Sequence, residues 1–303
     1  MKVIASAPAK VNLALHVGGP RPDGFHPLDT VFQALDLRDE VTAVSDTDLS
    51  LTISGLGADL PTDHTNLAIR AAQLLRDTYG AHPGDRAYGK GAQLHIHKVI
   101  PVAGGMAGGS ADAAATLAAL NVLWGLELET SELLELAAEL GSDVPFCLVG
   151  GVAHGTGRGE KMQQLYTVAQ FGWVLLTRTD GLSTPAVFRE FDRLHPAAGV
   201  PRTTTELRTV LRHGTLPQIG AQLSNDLQAA AISLRPELAT VLADLSQAGY
   251  GAILSGSGPT IAVLCDPDQC SELAADIIRS YPELAIYSAA GPSGGVQVTV
   301  EQR

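Results

Sequence analysis

Positive charge is scarce in this chain: 20 lysines and arginines stand against 32 aspartates and glutamates, a formal net charge of −12. That balance excludes a broad cationic footprint for nucleic acid or for an anionic membrane, so any phosphate site must be local. Cysteine is nearly absent as well. Cys147, Cys265 and Cys270 are an odd number without CxxC or CxxxH spacing, which excludes a disulfide framework and a zinc site and leaves three reduced, buried thiols as the expectation. Long apolar runs are missing too. The longest uncharged stretch, Leu245 to Cys265, is broken by Gly249, Gly251, Ser255, Gly256, Ser257, Gly258 and Pro259, so no membrane span is expected. At the N-terminus Lys10, Asn12 and His16 interrupt the apolar stretch before a signal-peptide core could form, and a cytoplasmic protein is expected.

What remains is an alanine- and glycine-rich chain of 303 residues, 45% hydrophobic and only 5% aromatic, with enough apolar material for a sizeable core. Its length predicts two domains, 1–160 and 161–303. Residues 2–17 alternate and then run apolar, which fits a strand, and Val31 to Leu37 and Glu40 to Ile53 read as two more. Asn66 to Tyr79 carries a helical apolar stripe, and Leu94 to Ile100 alternates as a strand. The glycine-rich segment 102–109 then feeds Ala111 to Trp124, a run of strong helix formers, with a second helix at about Ser131 to Leu140. In the second half, helices are predicted at Thr204–Arg212, Leu223–Ala231 and Pro236–Ala248, with short strands at Ala252–Leu254 and Thr260–Leu264. Helices and strands mix without strict alternation, so the fold class is α+β.

The order strand, glycine loop, helix is the chemically informative feature. Glycines at 104, 105, 108 and 109 let main-chain N–H groups approach an anion, and the helix beginning near Ser110 adds the positive end of its dipole. On the residues alone, phosphate binding and a structural turn stand about level, with Ser110 as a plain N-cap in the second reading. Other nucleotide signatures fail. Gly84 to Lys90 has Walker-type spacing, but Gly91 stands where a hydroxyl residue would hold Mg²⁺. Gly155-Thr156-Gly157-Arg158-Gly159 has the wrong spacing for a dinucleotide fingerprint. Gly108-Gly109-Ser110-Ala111-Asp112 lacks the last glycine of a hydrolase elbow. His95 and His97 share a strand face without a visible third ligand, so metal binding there is the lesser reading.

Three separated segments coincide in order: Pro8-Ala9-Lys10-Val11-Asn12-Leu13, then Pro101-Val102-Ala103-Gly104-Gly105-Met106-Ala107-Gly108-Gly109-Ser110-Ala111, then Ser255-Gly256-Ser257-Gly258-Pro259-Thr260. Together they resemble the GHMP kinases over essentially the whole chain. The resemblance implies a two-domain fold, with an N-terminal domain like domain 2 of ribosomal protein S5 and a ferredoxin-like C-terminal domain. It also implies ATP as phosphoryl donor, with Mg²⁺, for which Ser110 is one candidate ligand. Residues 101–111, with Asn66, Leu67 and Lys98, are the implied ATP-binding set.

Further motifs, Arg21-Pro22-Asp23-Gly24-Phe25-His26-Pro27-Leu28 and Gly141-Ser142-Asp143-Val144-Pro145-Phe146, are similar to one branch of that family. That branch phosphorylates the 2-hydroxyl of a cytidine diphosphate methylerythritol in non-mevalonate isoprenoid precursor biosynthesis. The resemblance then makes Lys10 and Asp143 the catalytic pair, the lysine keeping Asp143 ionised beside the substrate hydroxyl. Read without it, Asp143 is better explained as an N-cap to a short turn carrying Pro145. Asn12, Phe25, His26, Phe188 and Gly256-Ser257-Gly258 are the implied substrate contacts. Phe25 stands where the family usually has tyrosine, which keeps a stacking face and loses a phenolic hydrogen bond. The rival readings are a GHMP kinase for homoserine, mevalonate or a sugar, and a non-catalytic small-molecule-binding protein on the same fold.

Overall fold

The structure is a computed structural model that describes residues 1–301 except Ala103 and Thr179. In chain order the first half contains β1 (Lys2–Val17), β2 (Leu28–Asp46), β3 (Leu49–Gly55), α1 (Leu67–Tyr79), β4 (Gly91–Lys98), α2 (Gly108–Trp124), α3 (Thr130–Leu140), α4 (Val144–Val149), β5 (Val152–Gly157) and β6 (Lys161–Leu165). The second half contains β7 (Phe171–Thr177), α5 (Thr184–Leu194), α6 (Thr205–His213), α7 (Leu216–Gly220), β8 (Ser224–Asn225), α8 (Gln228–Leu234) and α9 (Glu237–Leu245). It closes with β9 (Ala252–Leu254), β10 (Ile261–Cys265), α10 (Cys270–Ser280), β11 (Ala285–Gly291) and β12 (Gln297–Glu301).

Two sheets organise these elements. The first runs β12-β1-β2-β4-β3, with β5 and β6 continuing from β2 and the short β8 parallel to β1; the second is β11-β7-β10-β9. The α+β reading therefore holds. We propose a division of the chain close to residue 160, between units 1–160 and 161–303. Strand pairing crosses that line, because β6 forms a hairpin with β5 and both β8 and β12 pair with β1.

Helix α2 lies against β1 and β2 on one side and α1, α3 and α4 on others. Apart from its first turn and Asn121 and Val122, it is buried all round, as expected of a helix apolar on every face. Its alanines let the strands approach closely. On β1, Val3, Ala5, Ala7, Ala9, Val11 and Leu13 are fully buried and join α2 in one apolar cluster. That cluster also takes in Trp173, Ala262 and Ala289 of the second sheet, so the two halves share a core. Lys10 and Asn12 point from β1 to the other side of the pleat from Ala9, Val11 and Leu13.

Several expectations need correction. The two strands predicted at Val31–Leu37 and Glu40–Ile53 are instead one strand, β2, and a separate β3, divided at Thr47-Asp48. No glycine or proline interrupts Leu28 to Asp46, and the Asp46 carboxylate accepts from Thr47 N at 2.6 Å to make the turn. The helix predicted from Leu223 starts only at Gln228, since Ser224 and Asn225 pair with β1 and Asn225 Oδ1 accepts from Leu227 N. Helices α5 and α10 and strands β11 and β12 were not anticipated. The segment 84–90 is a mostly exposed loop tied down by Arg86 to Leu126 O and Lys90 to Trp124 O. His95 and His97 bond the hydroxyls of Thr52 and Ser54, and no group of three metal-ligating side chains occurs among the described residues. All three cysteines are buried and free. Among the described residues no helix is long and apolar enough to cross a membrane.

Candidate active site

The glycine loop leaves β4 at Pro101 and enters α2 two residues earlier than predicted, at Gly108. Gly105 sits at φ +75, and a Cβ there would meet Ser255 O at 2.1 Å; at Gly104 a Cβ would meet Thr260 Oγ1 at 2.7 Å. Both positions thus require glycine because the loop is pressed against the segment 255–260. Ser255 Oγ donates to Gly105 O at 3.1 Å, and Asn225 Nδ2 donates to both Leu254 O and Gly256 O, which holds the second segment in place.

The N-cap of α2 is Ala107, left-handed at φ 62, and no side chain caps the helix. Ser110 is the third helical residue, so the reading of Ser110 as N-cap is withdrawn. Ala111 N already bonds Ala107 O. The N–H groups of Gly108, Gly109 and Ser110 precede the first intrahelical bond, and this end of the helix opens into a cavity of about 920 Å³. Three aligned donors at the positive end of a buried helix are what binding of an anion requires.

On the same cavity wall, Lys10 Nζ donates to Asn12 Oδ1 at 2.7 Å and to Gly105 O at 2.9 Å, and lies 3.6 Å from Asp143 Oδ2. Burial of an ammonium is costly unless it is compensated, and here two acceptors and a carboxylate surround it. Asp143 precedes α4 at the N-cap position, yet its side chain makes no capping bond. The carboxylate is left facing Lys10 and the cavity.

The far end of the cavity is aromatic and cationic. The His26 ring packs on Phe188, centroids 4.9 Å apart, and its Nε2 bonds Asp192 Oδ1 at 2.8 Å. Arg158 lies over the face of the exposed Phe25, 4.7 Å from the ring centroid. Among the described residues no carboxylate lies within salt-bridge distance of Arg158.

Of the residues singled out from the sequence, nearly all line this one cavity. Ala111 and Gly258 do not. Ala111 is packed inside α2, and Gly258 closes the turn behind the loop by donating from its N to Ser255 O. Ala103 lies outside the described residues.

Two family models match the chain. The model for the GHMP kinases N terminal domain matches residues 66–151, and the model for the GHMP kinases C terminal matches residues 207–283, together more than half of the chain. The chain belongs to the GHMP kinase family. A relative from Cutibacterium acnes named 4-diphosphocytidyl-2-C-methyl-D-erythritol kinase is 48% identical, covering 98% of this chain and 97% of its own. A protein of the same name from Streptomyces avermitilis is also 48% identical, over 98% and 100%. A crystal structure of 4-(cytidine 5'-diphospho)-2C-methyl-D-erythritol kinase superposes with a TM-score of 0.73 at 30% identity, covering 96% of this chain and all of that one. Homoserine kinase from Cytophaga hutchinsonii, at 18% identity and a TM-score of 0.69, shares the fold.

Within this GHMP kinase the second expected cation, Lys98, is not free. Its Nζ lies 2.6 Å from both Asp39 Oδ2 and Asp112 Oδ2, all three side chains being buried. Asp39 Oδ1 also accepts from Val99 N and Ile100 N, pinning the end of β4 where the glycine loop departs. Burial pushes the Asp112 carboxyl up to about 7, Lys98 opposing and the nearby Asp39 adding to the rise. Burial alone would lower Lys98, but Asp112 and Asp39 beside it raise it instead. Asn66 is the N-cap of α1, its Oδ1 accepting from Ala68 N and its Nδ2 donating to Pro61 O, while Leu67 packs 3.6 Å from where a Cβ on Gly109 would sit.

The sequence reading of this GHMP kinase missed Arg158, Asp192 and Asp39. Arg158 belongs to the glycine-flanked segment dismissed as a dinucleotide fingerprint, which is in fact the turn between β5 and β6. A lone arginine between two glycines, after a strand pattern, was the available signal. Asp192 and Asp39 carried none, because their partners lie 166 and 59 residues away.

Mg²⁺ fits the residues present. Asp112 Oδ1 is buried without a hydrogen-bond partner, and the Ser110 hydroxyl stands on the same helical turn. Hard oxygen donors in so small a number suit an ion carried mainly by phosphate oxygens.

Proposed function

We propose that this protein transfers the γ-phosphate of ATP to the 2-hydroxyl of 4-diphosphocytidyl-2-C-methyl-D-erythritol, a step of non-mevalonate isoprenoid precursor biosynthesis. One observation carries the reading: the uncapped start of α2, the Lys10 and Asp143 pair, and the His26 and Phe188 aromatic end all open onto a single cavity. The near full-length relatives with that activity in their names support the choice of acceptor.

The chemistry follows from placement. An alcohol is a weak nucleophile, and phosphoryl transfer depends mainly on alignment and on charge stabilisation. The N–H groups at Gly108, Gly109 and Ser110 hold phosphate oxygens through the main chain. Asp143 accepts the hydroxyl proton as the acceptor oxygen bonds the γ-phosphorus and the bond to the departing ADP oxygen breaks. Lys10, fixed by Asn12 and Gly105, stands 3.6 Å from Asp143 and sets its charge beside the transferring group. Mg²⁺, held by Ser110 and Asp112 with the phosphates, supplies charge neutralisation when bound.

At the other end, Phe25 and Phe188 offer stacking faces and His26, oriented by Asp192, offers a hydrogen-bonding edge for cytosine. Arg158 suits the acceptor's own diphosphate or its ring face. Asn66, Leu67 and Lys98 lie on the adenosine side of the loop in this reading. Gly256 and Ser257 close over the loop, and Thr184 Oγ1 shares a hydrogen bond with Ser257 at 2.8 Å. A cytoplasmic setting belongs to the proposal, in keeping with three free thiols.

The test is direct. Purified protein with ATP and Mg²⁺ is offered the cytidine alcohol, homoserine or mevalonate, and ADP release and the ³¹P spectrum are followed. A new phosphomonoester on the cytidine alcohol alone is expected. Turnover confined to another alcohol, or no turnover, overturns the reading.

A further inference from the structure

Lys10 is aimed by a chain of hydrogen bonds that begins outside the cavity. Thr30 Oγ1, fully buried in β2, donates to Ala14 O at 2.6 Å. A carbonyl can only accept, so the single hydroxyl proton is committed there. Toward Asn12, 2.9 Å away, the same hydroxyl therefore acts as acceptor, and Asn12 must present its NH2 group. The amide oxygen is thereby turned to the opposite side, where Lys10 Nζ donates to it at 2.7 Å. Reversing the amide would set NH2 against the ammonium and the amide oxygen against a hydroxyl whose proton is already used.

The consequence reaches the site. Lys10 has three N–H groups, and Asn12 Oδ1 and Gly105 O take two of them. The third is left for Asp143, 3.6 Å away, and for the cavity. Register shifts in the pairing of β1 with β2 fall between Pro8 and Lys10 and between Asn12 and Ala14, so the ladder is irregular on both sides of these residues and the backbone alone does not fix their direction. Thr30 does not line the cavity and cannot touch substrate.

We infer that Thr30 is a positioning residue for phosphoryl transfer, acting through the Asn12 amide to direct the Lys10 ammonium. The inference rests on the kinase reading above, and its test separates the two.

Steady-state kinetics with ATP and the cytidine alcohol are compared for wild type, Thr30→Val, Thr30→Ser, Asn12→Ala and the Asn12→Ala/Thr30→Val double variant. Thr30→Val is expected to lower kcat by about tenfold or more, with both KM values within about threefold. Thr30→Ser, which keeps the hydroxyl, is expected within about threefold of wild type. In the Asn12→Ala background, Thr30→Val should add less than about twofold, because the link is already cut. Unchanged kcat in Thr30→Val, equal damage in Thr30→Ser, or an undiminished effect in the double variant would each overturn the relay. Should Thr30→Val not fold, Thr30→Ala replaces it in the same cycle. If wild type leaves the cytidine alcohol untouched, the functional reading fails, and the relay is judged by hydrogen exchange of the Asn12 side-chain amide. Slow exchange in wild type that becomes fast in Thr30→Val supports it, and identical exchange in both overturns it.

Discussion

Lys10 and Asp143 face each other at 3.6 Å, the lysine buried and the carboxylate about one-third exposed. This asymmetry suits their tasks, since the cation needs a fixed position and the base needs contact with an incoming hydroxyl. Asp143→Asn and Lys10→Ala are expected to fold and to lose at least ~10² in kcat, the low end for removal of an acid–base group. Circular dichroism checks folding and single-turnover kinetics check the chemical step. A folded Asp143→Asn enzyme with wild-type turnover would remove Asp143 from the role of base.

Asp39 carries a different kind of burden. Its carboxylate is the shared acceptor of Lys98 Nζ, Val99 N and Ile100 N, and it is fully buried. Asp39→Ala leaves two buried donors and a buried cation short of a partner. A destabilisation of about 3–5 kcal/mol is expected, as for breaking one side of a buried ion pair. Denaturant unfolding measures it, and a loss under about 1 kcal/mol would contradict the geometry.

The pH dependence of stability should carry the mark of Asp112. Its folded carboxyl is raised to about 7 from an ordinary 3.8, so between those values the folded protein binds more of this proton than the unfolded chain does. Stability contributed by the group is therefore highest below about pH 4 and falls as pH rises through about 7. Asp112→Asn lacks this slope. Unfolding in the absence of metal should show the variant gaining on wild type between pH 5 and pH 8, and a difference that stays constant would argue against it.

Gly105 is the narrowest point of the loop. Gly105→Ala combines a left-handed backbone with a Cβ 2.1 Å from Ser255 O, so the loop and the segment behind it must move apart. The expected result is a rise of tenfold or more in the KM for ATP with a much smaller change for the alcohol. An alanine variant with unaltered ATP affinity would show that this turn does not hold the triphosphate.

The parts of the site written in one stretch of chain were legible. Gly104, Gly105 and Gly108 announce a close main-chain approach by themselves, and the alanines after them announce a buried helix. Lys10 stood out as a cation in an apolar strand, but its partnership with Asp143 came from family resemblance, because 133 residues separate them. The boundaries of α2 and β2 were misplaced because the local signals are weak there: Ala107 takes a left-handed turn without being glycine, and no breaker divides Leu28 from Asp46. Asp192, Thr30 and Asp39 were invisible for a common reason. Each is an ordinary polar residue until the fold supplies its neighbour.

The pairing of β12 with β1 sets Lys2 opposite Glu301, so a strand drawn from the far end of the fold finishes the edge of the sheet bearing Lys10. Until β12 docks, the main-chain groups of that edge stand unpaired, an open template for another strand that the pairing removes.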